Sequence, residues 1–321
     1  MNKFDIGGPN EPRHSGKIYL ANEGAVSNQF LSEALTQYAV GWKSEEGKLE
    51  AVINALCGAP ITVSKRFAFK KADNAKAFMA ADADEDIRAI GGEFKRIELP
   101  GTTVDSHTQS KGLTLRIDRD ELNDDPEAEQ KAVAYLKTVL LRSEAIRAFA
   151  LLNAAATNAA KAWGKATPAD ADADVIGAII AGADDAGAAP NNVFFGATAF
   201  QKRFLTLRAS SNASVGNGAL LSLDQLAGLY GVEKVNVCSE RYEAASGKST
   251  VLSTNLVLCY NATASGMKDD PANIKRFVTK TGGADFGVYR VERPEGVDVT
   301  VAHQSRILVS NAKGVRKLTI S

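Results

Sequence analysis

The chain has 321 residues, of which 45% are apolar and 24% charged, and 38 Lys and Arg are matched by 38 Asp and Glu to give a formal net charge of zero. These proportions exclude a disordered, collagen-like or disulfide-stapled chain and leave room for two compact units or one large one. The charge balance also argues against a nucleic-acid reader, whose affinity comes mainly from Lys and Arg neutralising phosphates.

Cys57, Cys238 and Cys259 show no Cys-x-x-Cys spacing, which predicts buried free thiols in a reducing compartment. Met1 is not followed by the apolar segment of a secretory signal, and no apolar run approaches the ~20 residues that span a bilayer. The expectation is a protein without an export signal that works in solution and not in a membrane.

Residues 1–24 carry Pro9, Pro12, Gly16 and Gly24 and read as an extended or mobile arm. Two short helical patterns follow, one with Phe30, Leu31, Ala34, Leu35 and Tyr38, the other with Leu49, Val52, Ile53 and Leu56. Between Ile61 and Glu121 the period changes to two, in Ile61/Val63, Phe67/Phe69, Ile97/Leu99 and Leu113/Leu115/Ile117, which predicts strands. These few strands flank a polar middle from about Asn74 to Gly92, cannot close a core alone, and predict a long hairpin arm. Its charges are segregated: residues 65–76 hold five basic side chains and one acidic, and residues 82–86 hold four acidic. Opposed patches of this kind set register between docked copies; an ordinary solvated hairpin is the simpler alternative.

Asn123, Asp124 and Asp125 supply N-caps, Pro126 suits a first helical turn, and good helix formers run from Glu127 to about Ala162. That predicts one helix roughly 50 Å long at ~1.5 Å per residue, apolar around most of its circumference and so packed on several sides. Gly164, Pro168 and the Ala169–Asp174 alternation read as a linker. Helices about Asp174–Ala186, Ala199–Leu207 and Leu223–Tyr230 then alternate with strands at 193–195, 232–237 and 256–260, a small α/β unit. From Phe286 the pattern is strands alone, at 288–291, 297–301, 307–309 and 315–320.

The sequence supplies little chemistry. His14, His107 and His303 lack ligand spacing and read as surface or satisfied structural histidines. Asp118, Asp120, Glu121, Asp124 and Asp125 break the calcium-loop pattern at Leu122 and Asn123 and fit helix capping instead. Gly216-Asn217-Gly218 lacks a third spaced glycine, no Gly-x-Ser-x-Gly elbow occurs, and the Asn212 and Asn261 glycosylation triplets carry no weight without an export signal. No catalytic residue, cofactor or metal ligand is assigned.

The order of parts, with Lys111–Leu122 (KGLTLRIDRDEL) leading into the Asp125-Pro126 helix start, Pro190–Phe204 (PNNVFFGATAFQKRF) and Leu226–Val237 (LAGLYGVEKVNV), resembles the major capsid protein of tailed bacteriophages, the Hong Kong 97-type fold. The resemblance implies an α+β chain divided into an N-terminal arm with short helices (1–60), an extended hairpin loop (61–121), a peripheral domain with its spine helix (122–168), an axial α/β domain (169–270) and C-terminal strands returning to the peripheral domain (271–321). It further implies a structural, non-enzymatic subunit of an icosahedral virion shell. Such subunits form pentamers and hexamers in the host cytoplasm, work with scaffolding and portal proteins, and enclose DNA without binding it specifically. The short stretch before the hairpin implies a separate scaffolding protein or an already shortened chain. The residues expected between subunits are Lys65, Arg66, Phe67, Phe69, Lys70, Lys71, Asp82, Asp84, Glu85, Asp86, Ile97, Leu99, Leu113 and Leu115. An encapsulin-type compartment shares the resemblance. The alternative from another class is a soluble α/β hydrolase or ligand-binding protein with a pocket at the strand ends near Gly196 or Gly231.

Overall fold

The computed structural model describes residues 30–43, 48–71, 87, 90–93, 102–164, 170–209, 218–245, 247–262, 270 and 272–321. Phe30 and Leu31 form a short strand, β1 (Phe30–Leu31), and do not belong to the helix expected there; Ser32 accepts a hydrogen bond from the Leu35 amide and starts α1 (Glu33–Gly41). α2 (Lys48–Cys57) buries Leu49, Ile53 and Leu56, and Gly58 precedes β2 (Ile61–Thr62). Next come β3 (Arg66–Lys71), β4 (Thr102–His107) and β5 (Gln109–Asp118). The Asp118 carboxylate accepts from the Asp120 amide to cap α3 (Arg119–Asp124), the capping role expected of this acidic stretch.

The long helix, α4 (Ala128–Ala155), has 28 residues, about 42 Å at ~1.5 Å per residue. It stops short of the expected Ala162 because Ala156 turns extended and the Thr157 amide donates to the Val315 carbonyl. Residues 157–161 then become β6 (Thr157–Lys161), beside the chain's C-terminal residues. Alanine-rich sequence favours helix only weakly, and a sheet edge that satisfies every second backbone group outweighs it. α5 (Ala171–Ala186) begins inside the run read as a linker: Asp170 accepts from the Asp172 and Ala173 amides and makes that run a helix start.

β7 (Asn192–Gly196), α6 (Ala197–Ala209), a single 3-10 turn at Gly218–Leu220 and α7 (Leu223–Tyr230) follow. α7 carries a full capping box between Ser222 and Gln225. The remaining strands are β8 (Lys234–Cys238), the hairpin β9 (Arg241–Ala244) and β10 (Gly247–Thr250), β11 (Leu256–Tyr260), β12 (Ile274–Thr279), β13 (Phe286–Arg293), β14 (Gly296–Val309) and β15 (Arg316–Ile320). The two stretches expected as separate strands at 297–301 and 307–309 are one continuous β14.

Two main sheets share the long helix. The first has β14 at its centre: β14 pairs antiparallel with β13 and β5 along its first part and with β12 along its last, while β1 extends β13 and β2 extends β12. The second has the order β6-β15-β11-β7-β8. The last strand lies in this second sheet between β6, within the 122–168 stretch, and β11, within the 169–270 stretch.

The second sheet is covered on both faces, which explains its uninterrupted apolar strands. Leu256, Leu258 and Tyr260 face the core around α4, and Val257 and Cys259 face a second core under α5 and α7. Phe194 joins the two halves: it meets Phe149 of α4 edge-on at 5.3 Å and stacks on Tyr260 at 6.4 Å, and the Tyr260 hydroxyl donates to the Ala55 carbonyl in α2 at 3.0 Å. All three cysteines are free and buried, as expected.

Candidate inter-subunit contact site

β3 and β4 form a two-stranded ribbon that, among the described residues, pairs with no third strand. A lone two-stranded ribbon is marginal in water, so its root needs anchors, and two exist. By strand alternation Phe67 and Phe69 share a face, and both rings lie against Phe277 of β12, at 4.5 and 5.5 Å. Phe277 is fully buried and Phe69 is 3% exposed, and with Ile61 they form a small core separate from the two larger ones. The second anchor is hydroxylic: buried Thr108 lies 2.9 Å from the Thr279 hydroxyl, which donates to the Val63 carbonyl, and the Thr108 amide donates to the Lys65 carbonyl.

A separate ionic cluster joins α4 to the sheet behind these anchors. Glu144, on the buried stripe of α4 with Leu140, Leu141 and Ala148, is fully enclosed. Arg276 Nε donates to Glu144 Oε2 at 2.8 Å; Lys111 Nζ of β5 donates to Oε1 at 3.4 Å; Ser305 Oγ also donates to Oε1; and His303 Nε2 lies 3.3 Å from it. Burial opposes ionisation of Glu144, but His303, Arg276 and Lys111 outweigh it and hold the carboxyl well below the usual range. Burial, more than any neighbour, lowers the Lys111 ammonium. His303 is thus one of the structural histidines the sequence suggested, 2% exposed and edge-on to Phe286.

The residues expected between subunits fall into three groups. Lys65 and Arg66 are exposed at the ribbon root, Phe67, Lys70 and Lys71 are half-buried, and Leu113 and Leu115 on β5 stay 38% and 37% exposed although their partners Val301 and Val299 are fully buried. Phe69 is taken up by Phe277 of its own chain, so it anchors the ribbon and offers no surface to a neighbour. Asp82, Asp84, Glu85, Asp86, Ile97 and Leu99 lie outside the described residues. Sequence reading missed Phe277, Thr108, Thr279 and Glu144. Glu144 carried a usable signal, since a carboxylate spaced four residues from Leu140 and Ala148 sits on the buried stripe.

Gly196 and Gly231, near which the rival reading puts its pocket, themselves have structural roles. A Cβ at Gly196 would come within 2.4 Å of the Ser253 carbonyl, so the chain passes tightly there, and Gly231 (φ 68) caps α7 in the left-handed conformation. Among the described residues no three His, Cys, Asp or Glu side chains group to hold a metal ion, and no helix is long and apolar enough to cross a membrane.

The long helix shared by two sheets, the ribbon and the mixed α/β unit together form one α+β fold, in keeping with the fold class that the sequence resemblance implied. Known structures agree. A phage-related protein from Bordetella bronchiseptica RB50 is 14% identical, with a TM-score of 0.67 over 90% of this chain and 97% of that one. A virus-like particle from Pyrococcus furiosus is 12% identical, with a TM-score of 0.50 over 84% and 97% of the two chains. A structure from Gordonia phage Cozz is 10% identical, with a TM-score of 0.51 over 84% and 86%. No protein-family model matches the sequence, and no curated protein matches it.

Proposed function

We propose that the chain is the structural subunit of a closed protein shell, a phage capsid that assembles from pentamers and hexamers in the host cytoplasm and encloses the DNA genome. The observation that carries this reading is the β3–β4 ribbon, anchored at its root and, among the described residues, paired with no third strand, on a fold shared with a phage-related protein over 90% of the chain. A ribbon of two strands gains stability when a neighbouring copy covers it. In this reading residues 61–121 overlap an adjacent subunit. Lys65, Arg66, Phe67, Lys70, Lys71, Leu113 and Leu115 contribute there, together with the acidic Asp82, Asp84, Glu85 and Asp86 and the apolar Ile97 and Leu99. Residues 122–168 form the peripheral part, residues 169–270 surround the capsomer axis, and scaffolding and portal proteins assist.

A shell subunit needs large complementary surfaces and no active site, and the balance of 38 basic and 38 acidic residues supports a subunit that encloses a genome without binding it specifically. Negative-stain microscopy of the purified chain tests the proposal: uniform closed particles are expected, and a monodisperse monomer at high concentration overturns it. Nucleic acid inside particles isolated from cells supports a capsid, whereas an enclosed enzyme supports a cargo compartment.

A further inference from the structure

β5 runs from the ribbon root to α3, and its ten residues span about 30 Å at ~3.3 Å each. Unsatisfied charge of opposite sign sits at its two ends. At the root, Lys65, Arg66 and His107 line a concave surface with Phe67, Ala68, Ser106 and a single acid, Asp105. At the far end α3 buries no residue, and Asp120, Glu121 and Asp124 are exposed. Among the described residues, Lys65, Arg66, Asp120, Glu121 and Asp124 enter no ion pair. Most cations near α3 are already committed: Arg116 and Arg293 to Asp298, and Arg290 to Glu129 and Glu292; Arg119, on α3 itself, donates to the Arg293 carbonyl and keeps its charge against the three acids. Among the described residues, the α3 corner therefore keeps an excess of negative charge, three acids against Arg119.

Two complementary patches 30 Å apart on one paired strand cannot meet within a molecule. We infer that the cationic concavity at the ribbon root of one copy receives the acidic α3 corner of a second copy, joining subunits head to tail. Such a contact is heterologous: every copy uses one donor and one acceptor end, and repetition closes into rings when the rotation allows. This rests on the shell reading and names the surface that the ribbon root meets. Single exposed pairs are weak, so the contact works through the summed field, which steers docking and fixes register and which salt screens.

The test is a charge swap. Asp120→Lys/Glu121→Lys/Asp124→Lys in one variant, Lys65→Glu/Arg66→Glu in another, and all five together in a third are compared with the parent by light scattering and microscopy at low and high salt. Asp118, the α3 cap, is left in place, and far-ultraviolet circular dichroism checks each fold. Each single set is expected to raise the concentration needed for assembly about ten-fold, and the combined variant to recover most of that loss. The neutral Asp120→Asn/Glu121→Gln/Asp124→Asn variant gives a smaller rise in the same direction. A parent that forms closed particles while either single set assembles normally, or while the combined variant is no better than the single sets, overturns this contact and leaves the shell reading standing. A parent that forms only small salt-sensitive oligomers, lost and rescued by the swap, supports the contact and overturns the shell. A parent that stays monomeric overturns both.

Discussion

Arg276 Nε and Glu144 Oε2 are 2.8 Å apart, the carboxylate fully enclosed and its partner nearly so, which places a complete ion pair between the long helix and the strand that carries the ribbon anchor. Enclosing two charges is costly, so this pair is worth most as an orienting device, and breaking one side costs more than the pair contributes.

Glu144→Gln therefore leaves Arg276 and Lys111 facing each other without a counter-charge, and is expected to lower the unfolding free energy by about 3–5 kcal/mol in urea or guanidinium titrations. The pH sign follows from the depressed carboxyl. A folded value below the unfolded one contributes stability that is present above the ordinary carboxylate range and lost as pH falls through the folded value. The gap between parent and variant should be constant near neutrality and narrow in acid. A gap that widens in acid would contradict this assignment.

Phe277→Ala removes the ring on which Phe67 and Phe69 rest. A buried Phe→Ala change costs about 3–5 kcal/mol, and because these residues form a satellite core the loss should concentrate at the ribbon root. Amide hydrogen exchange at Phe69 and Val104 is expected to accelerate far more than at Phe194 or Leu258. Equal acceleration everywhere would place Phe277 in the main core instead.

What the sequence reveals about this molecule is what its neighbours along the chain decide. The 256–260 run and the Ser222 cap of α7 depend on local patterning, and the structure has them where periodicity puts them. β12 escapes because Lys275 and Arg276 break its apolar alternation. Both are buried, with compensation from Asp270 and from Glu144, the latter more than a hundred residues away. The same distance hides the role of Phe69: an exposed-looking Phe-x-Phe gives no sign that its partner ring lies on a later strand. The placement of β15 is equally non-local, since an apolar C-terminal strand fits either sheet and only the open edge beside β11 decides.

Cys57 and Cys259 are enclosed, and burial pushes both thiols up to about 12; Cys238 is raised by burial as well. Reactivity requires thiolate and access, and the folded chain offers neither. A chromogenic disulfide reagent at pH 8 is expected to find no fast-reacting thiol in the native protein and three per chain in denaturant. A rapid native reaction would show that the core around α2 opens readily.

Under α5, Arg203 is fully buried and places Nε 2.6 Å and Nη2 2.9 Å from the two Asp172 oxygens, while the Tyr230 hydroxyl donates to Asp172 Oδ1 at 2.6 Å. Burial raises the Tyr230 phenol, and the Asp172 charge and hydrogen bond add to the rise against the opposing pull of Arg203. The folded state therefore favours the neutral phenol, and its stability declines as pH climbs above the ordinary tyrosine value near ~10. Phenolate absorbance from Tyr230 should appear only with unfolding in the parent chain. Asp172→Asn removes the carboxylate and leaves the guanidinium, so Tyr230 should ionise at lower pH than in the parent. The uncompensated Arg203 should also lower stability by about 3–5 kcal/mol. A difference titration of parent, Asp172→Asn and Tyr230→Phe isolates the Tyr230 signal, and ionisation at higher pH in Asp172→Asn than in the parent would show that the carboxylate does not govern this phenol.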